Sequence, residues 1–394
     1  MGLLPVETAQ QRLIASAASV NVESAPLAES IGRWLADDVH ALRDQPWTAL
    51  SAMDGYAIRH ADLPGPWTVT GESAAGNLTL HTASPGEAVR IFTGAPMPEG
   101  ADSVLIQEEA ALQGASLVLA GAGPECPGKN VRLQAADFAK GALLLRRASR
   151  IGSPQVALAA MGGHGALPVH RKLRIALFTT GNELAEPGLQ KHPGELPASN
   201  SLMLRAMLSG LPVIMDDLGI VRDELEAQVE AFGRASSADI IVTTGGASVG
   251  DHDLIKPAFE AAGGSLDFWR IALRPGKPLM AGRNGNTLFL GLPGNPVSAF
   301  VTATLFLLPL VRHMSGAADP LPPLFEARLA NDMPAVSNRA IYLRGIVENG
   351  TARPLSDQDS AGLCSLAAAN ALIVRPSNAP AAKAGEMVHC LAIA

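Results

Sequence analysis

Three textures that follow one another along the chain predict a multidomain protein of mixed α/β and β architecture, centred on a doubly wound parallel sheet. From Leu173 onward short apolar runs alternate with stretches of helical periodicity, the pattern of strands joined by crossover helices. Between Arg43 and Arg147 the chain breaks into short alternating runs such as Trp67-Thr-Val-Thr70 and Ala88-Val-Arg-Ile-Phe92, punctuated by Gly and Pro, which reads as β-rich. After Gly316 a proline-rich link, Pro320-Leu-Pro-Pro323, leads into a last β-patterned segment of the size of a small barrel or sandwich. With 394 residues, 47% of them hydrophobic, the chain can bury several cores; length alone allows about two to four domains.

Each element has its own signal. Leu13, Ile14 and Ala17 recur at helical spacing between Val6 and Val20, and a second apolar segment runs from Pro26 to His40. Ser153 and Pro154 suit the N-cap and first turn of a helix through Met161, which Gly162-Gly163 ends. That helix can rejoin the opening module and make the β-rich part an insertion. The expected domains are therefore 1–42 with 148–172, a discontinuous helical N-terminal module; 43–147, the β-rich insertion; 173–318, the sheet domain; and 319–394, the C-terminal β domain. Within the sheet domain, strands are expected at Leu173 to Phe178, Val213 to Leu218, Ile240 to Thr243 and Thr287 to Leu290. Helices are expected at Ser201 to Leu208, at Glu224 to Phe232, and from Leu254 through Phe259.

The net charge of -7 and the absence of a dense Lys/Arg run argue against nucleic acid as the main partner. Any anionic ligand must be held locally. Cys126, Cys364 and Cys390 are far apart and form no C-x-x-C pair, which argues against a disulfide framework or a thiolate zinc site and for a reducing cytoplasm. No basic-then-apolar signal segment opens the chain. The most apolar run, Ala299 to Val311, is expected to be a buried helix too short for a bilayer and interrupted by Pro309, so no membrane partner is expected.

The run Val242-Thr-Thr-Gly-Gly-Ala-Ser-Val-Gly-Asp-His-Asp253 carries the most chemistry. A buried strand breaks into a turn in which Gly245, Gly246 and Gly250 let the backbone approach a ligand and aim amide N–H groups at it. The helix that follows places the turn, Ser248 included, at a helix N-terminus that favours an anion. Asp251 and Asp253 fit a bare anion poorly and make sense if a divalent cation lies between carboxylates and phosphate oxygens. Two further turns fall on the same strand-end edge, where doubly wound sheets bind ligands. One is Thr179-Thr-Gly-Asn-Glu-Leu184, in which Glu183 serves either a helix start or a ligand. The other is Leu292-Pro-Gly-Asn-Pro-Val-Ser298, with Pro293, Gly294 and Asn295 at its tip, which by itself fits a rigid strand-to-helix connection with Pro296 in the first helical turn as well as it fits a ligand loop. Arg274-Pro-Gly-Lys-Pro278, with Arg270 nearby, sets two cations at fixed spacing; a surface turn carrying charge for solubility is one reading, and the rigid Pro-Gly geometry suits an oxyanion clamp better. In the β-rich part, Asp54 of Ser51-Ala-Met-Asp-Gly-Tyr-Ala57 and Thr93 of Phe92-Thr-Gly-Ala-Pro-Met-Pro98 fit turn-forming and functional roles equally well.

Taken together and in this order, these six motifs resemble the MoeA family, the molybdopterin molybdenumtransferases related to the E domain of gephyrin, over nearly the whole chain. The resemblance implies a MogA-like sheet domain. It also implies insertion of molybdate into adenylylated molybdopterin with release of AMP, Mg²⁺ as the cation, and an elongated homodimer whose active cleft is shared between the sheet domain of one subunit and the β-rich domain of the other. A MogA-like adenylyltransferase and apo molybdoenzymes are the further partners it suggests. Carried over position by position, it assigns function to Asp54, Thr93 and Asp137 in the β-rich domain and to Glu183, Asp223 and Asp253 in the sheet domain. Glu183 and Asp253 are its candidate metal ligands. Arg270 and Arg274 stand where relatives often have lysine and Lys277 is retained, while Arg344 and Ser360 match positions associated with the oxyanion. Single-domain MogA-like adenylyltransferases would share the sheet-domain loops but not the turn from Ser51 to Ala57 or the C-terminal module. The chain departs from the family pattern at Ala49, Ala136 and Ala198, each of which removes an expected acid. Those losses motivate an alternative, a non-catalytic paralogue that binds and chaperones molybdopterin.

Overall fold

Side chains alternate across a strand, so a strand apolar on both faces needs helices on both sides of its sheet. The computed structural model describes residues 3–76, 81–246, 254–276 and 278–393. Its central sheet has six strands in the order Val213–Val221, Leu173–Thr180, Ile240–Thr244, Thr287–Leu292, Pro278–Asn284, Ser265–Arg270. The first four are parallel, and Pro278–Asn284 runs antiparallel to both neighbours. On one face Ile175, Leu177, Val242 and Leu290 pack with the helices Val6–Ser16, Ser199–Leu208 and 296–314. On the other, Ala176, Phe178, Ile241 and Phe289 meet Leu225–Arg234 and Ile255–Ala261. Phe178, Phe232, Phe259 and Phe289 form a chain of rings with centroids 4.3–5.5 Å apart. Each such ring taken from water contributes about 1.5–3 kcal/mol.

The expected break at Pro309 does not occur: residues 296–314 form one continuous 19-residue helix. Proline crowds the carbonyl four residues earlier and offers no N–H. Ala303–Leu307 absorbs this by taking π geometry just before Pro309, so the helix continues instead of stopping. Among the described residues this helix alone has the length and apolarity to cross a bilayer, but 78% of it is buried inside the fold, as a core helix is.

The opening helix Val6–Ser16 packs on the sheet through Val6, Ala9 and Leu13. The segments after it pair elsewhere. Val22–Pro26 lies antiparallel to Ala166–His170 and Val39–His40 to Leu143–Leu145, over a small core of Ala25, Leu35, Val39, Ile151, Ala159 and Leu167. In the helix Ser153–Met161 the N-cap is Gly152, whose N–H is met by the Gln155 side chain at 3.1 Å, so Ser153 is the first helical residue and not the cap. Between these paired segments lies a six-stranded sheet ordered Ser103–Ile106, Gly55–Ile58, Glu87–Ile91, Trp67–Ser73, Ser116–Leu119, Ala110–Gln113.

At the C-terminus Ala340–Glu348, Thr351–Pro354, Leu324–Leu329, Met387–Ala392 and Ala371–Arg375 pair in a closed circuit, a five-stranded barrel. Closure leaves no open edge except where the short strand Leu273–Arg274, arriving from the sheet domain, pairs parallel with Ala340–Glu348. That pairing fixes where Arg274 lies.

Candidate active site

The chain enters the central sheet at Leu173–Thr180, adds Val213–Val221 on one side and then Ile240–Thr244 on the other. The loops leaving Thr180 and Thr244 therefore diverge, and a crevice opens between them at the strand C-terminal ends. A cleft of about 770 Å³ occupies this place. Its floor is Thr179, Thr180, Gly245, Gly246 and Gly294, and its walls include Glu183, Asp223, Asn200, Pro293 and Asn295.

Close backbone approach explains the glycines. Gly245 sits at φ 91°, and a Cβ there would fall 2.4 Å from the Thr180 carbonyl oxygen; at Gly246, φ 59°, it would meet the Ile255 side chain at 2.6 Å. A Cβ on Gly294 would touch Gly245 Cα at 3.4 Å. Three turns far apart in sequence thus stack on one another with no side chain between them. Asn200 joins them, its Nδ2 donating to the Gly294 carbonyl at 2.7 Å. Because a carbonyl can only accept, this bond fixes the amide, and the buried Asn200 Oδ1, an acceptor, and the buried Thr180 hydroxyl are left without partners among the described residues.

The acids of the cleft come from two loops. Asn182 and Asp223 exchange main-chain and side-chain hydrogen bonds, 3.3 Å from Asn182 N to Asp223 Oδ2 and 3.2 Å from Asp223 N to Asn182 Oδ1. The Glu183 carboxylate folds back over Gly181, whose missing Cβ leaves it room. Burial raises the Asp223 carboxyl above its ordinary range, and the like charge of Glu183 pushes it further in the same direction. Among the described residues no group of three or more His, Cys, Asp or Glu side chains is placed to hold a metal ion.

A second cleft of about 400 Å³ adjoins the first at Ser298, which lines both. Its lining includes Arg274, Gly276, Tyr342, Gln358 and Ser360. Asn295 Nδ2 donates to Ser360 Oγ at 3.0 Å, and the Ser360 carbonyl accepts the Val297 N–H at 3.2 Å. A loop of the barrel is thereby tied to the Pro293–Pro296 turn of the sheet domain.

The predicted site residues consequently fall into groups. Glu183, Asp223, Gly245, Gly246, Pro293, Gly294 and Asn295 surround the first cleft, and Arg274 and Ser360 the second. Arg270 ends the strand Ser265–Arg270 and lines neither. Arg344 also lines neither: it is 1% exposed, and its guanidinium donates to main-chain carbonyls of its own barrel. Ser248, Gly250, Asp253 and Lys277 lie outside the described residues.

Asp54 and Thr93 meet each other away from both clefts. Asp54 Oδ1 accepts from Thr93 N at 2.7 Å and from Thr93 Oγ1 at 2.8 Å, and these bonds hold its carboxyl below the usual range. Gly55 is required beside it, because a Cβ there would lie 2.1 Å from the Leu105 carbonyl oxygen. Arg90, paired across the strands with Tyr56, stacks on Tyr56 and Phe92 at 5.0 and 4.8 Å and donates to Gln107. Asp137 is exposed on a separate turn, its N–H bonded to the Gln45 carbonyl at 2.9 Å. Sequence reasoning did not single out Arg90, Asn182, Thr180 or Gln358; period-two spacing opposite Tyr56 was the available signal for Arg90.

Comparison with known proteins matches this layout along the chain. Models of the MoeA N-terminal region (domain I and II), of a probable molybdopterin binding domain and of the MoeA C-terminal region (domain IV) match residues 4–163, 176–313 and 326–393. The molybdopterin molybdenumtransferase of Haemophilus influenzae is 35% identical over 323 residues, 81% of this chain and 80% of its own length. Molybdopterin molybdenumtransferase 2 of Mycobacterium tuberculosis is 33% identical over 379 residues, covering 92% of this chain and 93% of its own. The crystal structure of a molybdopterin biosynthesis MoeA protein from Pyrococcus horikoshii superposes with a TM-score of 0.85 at 28% identity, covering 99% of both chains. Three adjoining domain matches in MoeA order and relatives above 30% identity over most of their length leave one conclusion: the chain belongs to the MoeA family of molybdopterin molybdenumtransferases.

Proposed function

We propose that this protein is a molybdopterin molybdenumtransferase that takes adenylylated molybdopterin and molybdate, releases AMP and yields molybdenum cofactor. The observation that carries this reading is the pair of adjoining clefts. One offers glycine-turn N–H groups and two carboxylates to a nucleotide pyrophosphate; the other offers Arg274 and Ser360 to a tetrahedral oxyanion. Asp223 and Glu183 repel each other across the first cleft, and their oxygens suit a hard divalent cation such as Mg²⁺, with Asp253 the further ligand suggested by its family position. When bound, the ion would neutralise and polarise phosphate oxygens. The protein's own part is to hold the pyrophosphate on the 245–246 turn and to keep the anion within reach at Ser298, where the clefts meet. Purified protein given adenylylated molybdopterin, molybdate and Mg²⁺ should release AMP only when molybdate is present, and AMP release indifferent to molybdate rules the mechanism out.

The Asp54–Thr93 turn is built and exposed but lies on neither cleft, which supports its facing the cleft of a second copy. A homodimer with shared sites makes a specific prediction. Mixing inactive Asp54→Ala and Glu183→Ala protomers should restore about a quarter of wild-type activity, because half the dimers then carry one intact site. No restoration after verified subunit exchange would place all functional groups within one chain. The chaperone reading retains one supporting observation, Ala198 in the cleft wall where the family pattern has an acid. It predicts pterin binding without turnover. A cytoplasmic setting, and exchange with a MogA-like adenylyltransferase and apo molybdoenzymes, complete the proposal.

A further inference from the structure

The barrel loop from Leu355 to Leu363 is the wall that the two clefts share. Ala361 and Leu363 line the carboxylate cleft, while Gln358, Asp359 and Ser360 line the arginine cleft. Most of these residues are small or polar and half-buried or exposed, so apolar burial does little to hold the loop in place. Three side chains hold it instead. The buried Arg344 guanidinium donates from Nη1 to the Asp359 carbonyl at 2.7 Å and the Gly362 carbonyl at 3.5 Å, and from Nη2 to the Asp357 carbonyl at 2.9 Å. Gln358 Nε2 donates to the Arg344 and Leu355 carbonyls at 2.9 and 2.8 Å, and its Oε1 accepts the Arg344 N–H at 3.0 Å. Ser365 Oγ closes the set on the Asp357 carbonyl at 2.7 Å.

We infer that Arg344 and Gln358 are positioning residues: they hold the 357–362 loop so that Ser360 meets Asn295 and faces the oxyanion. The inference rests on the molybdenumtransferase reading for the identity of the anion. The buried guanidinium spans three loop carbonyls from Nη1 and Nη2, with Nε its unpartnered donor among the described residues, whereas an ammonium could hold only part of that fan. A loop fixed from below and latched from the side presents Ser360 with little ordering left to do when the anion arrives.

Gln358→Ala and Arg344→Lys, each as the full-length protein, test this. Amide exchange across 357–363 in the ligand-free protein should accelerate about tenfold in both variants. The KM for molybdate should rise by about tenfold while kcat stays within about twofold of wild type. Wild-type molybdate KM in Arg344→Lys would show that charge alone suffices and overturn the inference, as would unchanged loop exchange in Gln358→Ala. If Arg344→Lys fails to fold, Gln358→Ala decides alone. The exchange measurement needs no substrate, so it distinguishes a wrong positioning role from a wrong assignment of the reaction. Wild-type protein that never turns over with molybdate would refute the latter only.

Discussion

Asp54 and Asp223 are both aspartates on turns at strand ends, yet their surroundings drive them in opposite directions. Asp54 has two donors from Thr93 on one oxygen and is held below the ordinary carboxylate range. Asp223 is half-buried, faces the like charge of Glu183, and is pushed above that range. The β-rich turn is thus electrostatically complete as it stands. The sheet-domain pair carries like charges with no cation beside it among the described residues, and this asymmetry supports the proposal that a cation and its phosphate partner bind in the sheet-domain cleft.

The largest expected effect breaks the sheet-domain side of this contrast. Glu183→Gln or Asp223→Asn should each lower molybdate-dependent AMP release by on the order of 100-fold or more, with the fold retained by circular dichroism. Turnover within a few-fold of wild type would mean the pair is not at the reacting centre. Next comes the turn on which the pair's ligand would lie. Gly245→Ala forces a side chain into a left-handed backbone 2.4 Å from a carbonyl oxygen, and denaturant unfolding should register about 1–3 kcal/mol of strain.

Smaller effects sharpen the comparison through pH. A carboxyl raised in the folded state contributes stability that is full below its unfolded pKa and lost as pH rises through the folded value. Asp223→Asn should therefore raise the unfolding midpoint at pH 7 and change it little in acid. Asp54 has the opposite sign: its contribution is present above the unfolded pKa and lost as pH falls through the lowered folded value, so Asp54→Asn should lower the midpoint at pH 7. Divalent-cation affinity should fall with pH through the raised Asp223 titration, because the proton competes for the same oxygens. The smallest change is Thr93→Val, which removes one of the two bonds to Asp54 and should move its carboxyl resonance titration upward toward the ordinary value without disturbing Asp223.

Much of this was legible in the chain itself. The parallel strands Leu173–Thr180, Ile240–Thr244 and Thr287–Leu292 could be read because burial on both faces demands continuous apolar runs. The two strands that extend the sheet, Ser265–Arg270 and Pro278–Asn284, were missed: they are interrupted by polar residues and by register shifts, and they flank the Arg274 turn that drew the reading toward charge. Pro309 read as a break because proline is incompatible with an ideal α-helix, and the π turn that accommodates it has no sequence signature. Glu183 and the glycine turns were legible as strand-end loops, since glycine there supplies the positive φ and close approach that the turn needs. The family resemblance placed Arg344 with the oxyanion positions, but its burial against the carbonyls of the barrel loop had no sequence signal.

The sequence by itself determined the fold class, the doubly wound sheet and the set of loops at its strand ends, because hydrophobic periodicity and turn chemistry are local properties. Only the tertiary structure decided which of those residues line the clefts. It placed Gly245 against Thr180 and Gly294, set Glu183 close enough to Asp223 to raise its proton affinity, and gave Arg344 to the barrel loop and not to the cleft. Those outcomes depend on distances between segments far apart in the chain, and electrostatics and hydrogen bonding act through such distances whatever the order of the residues.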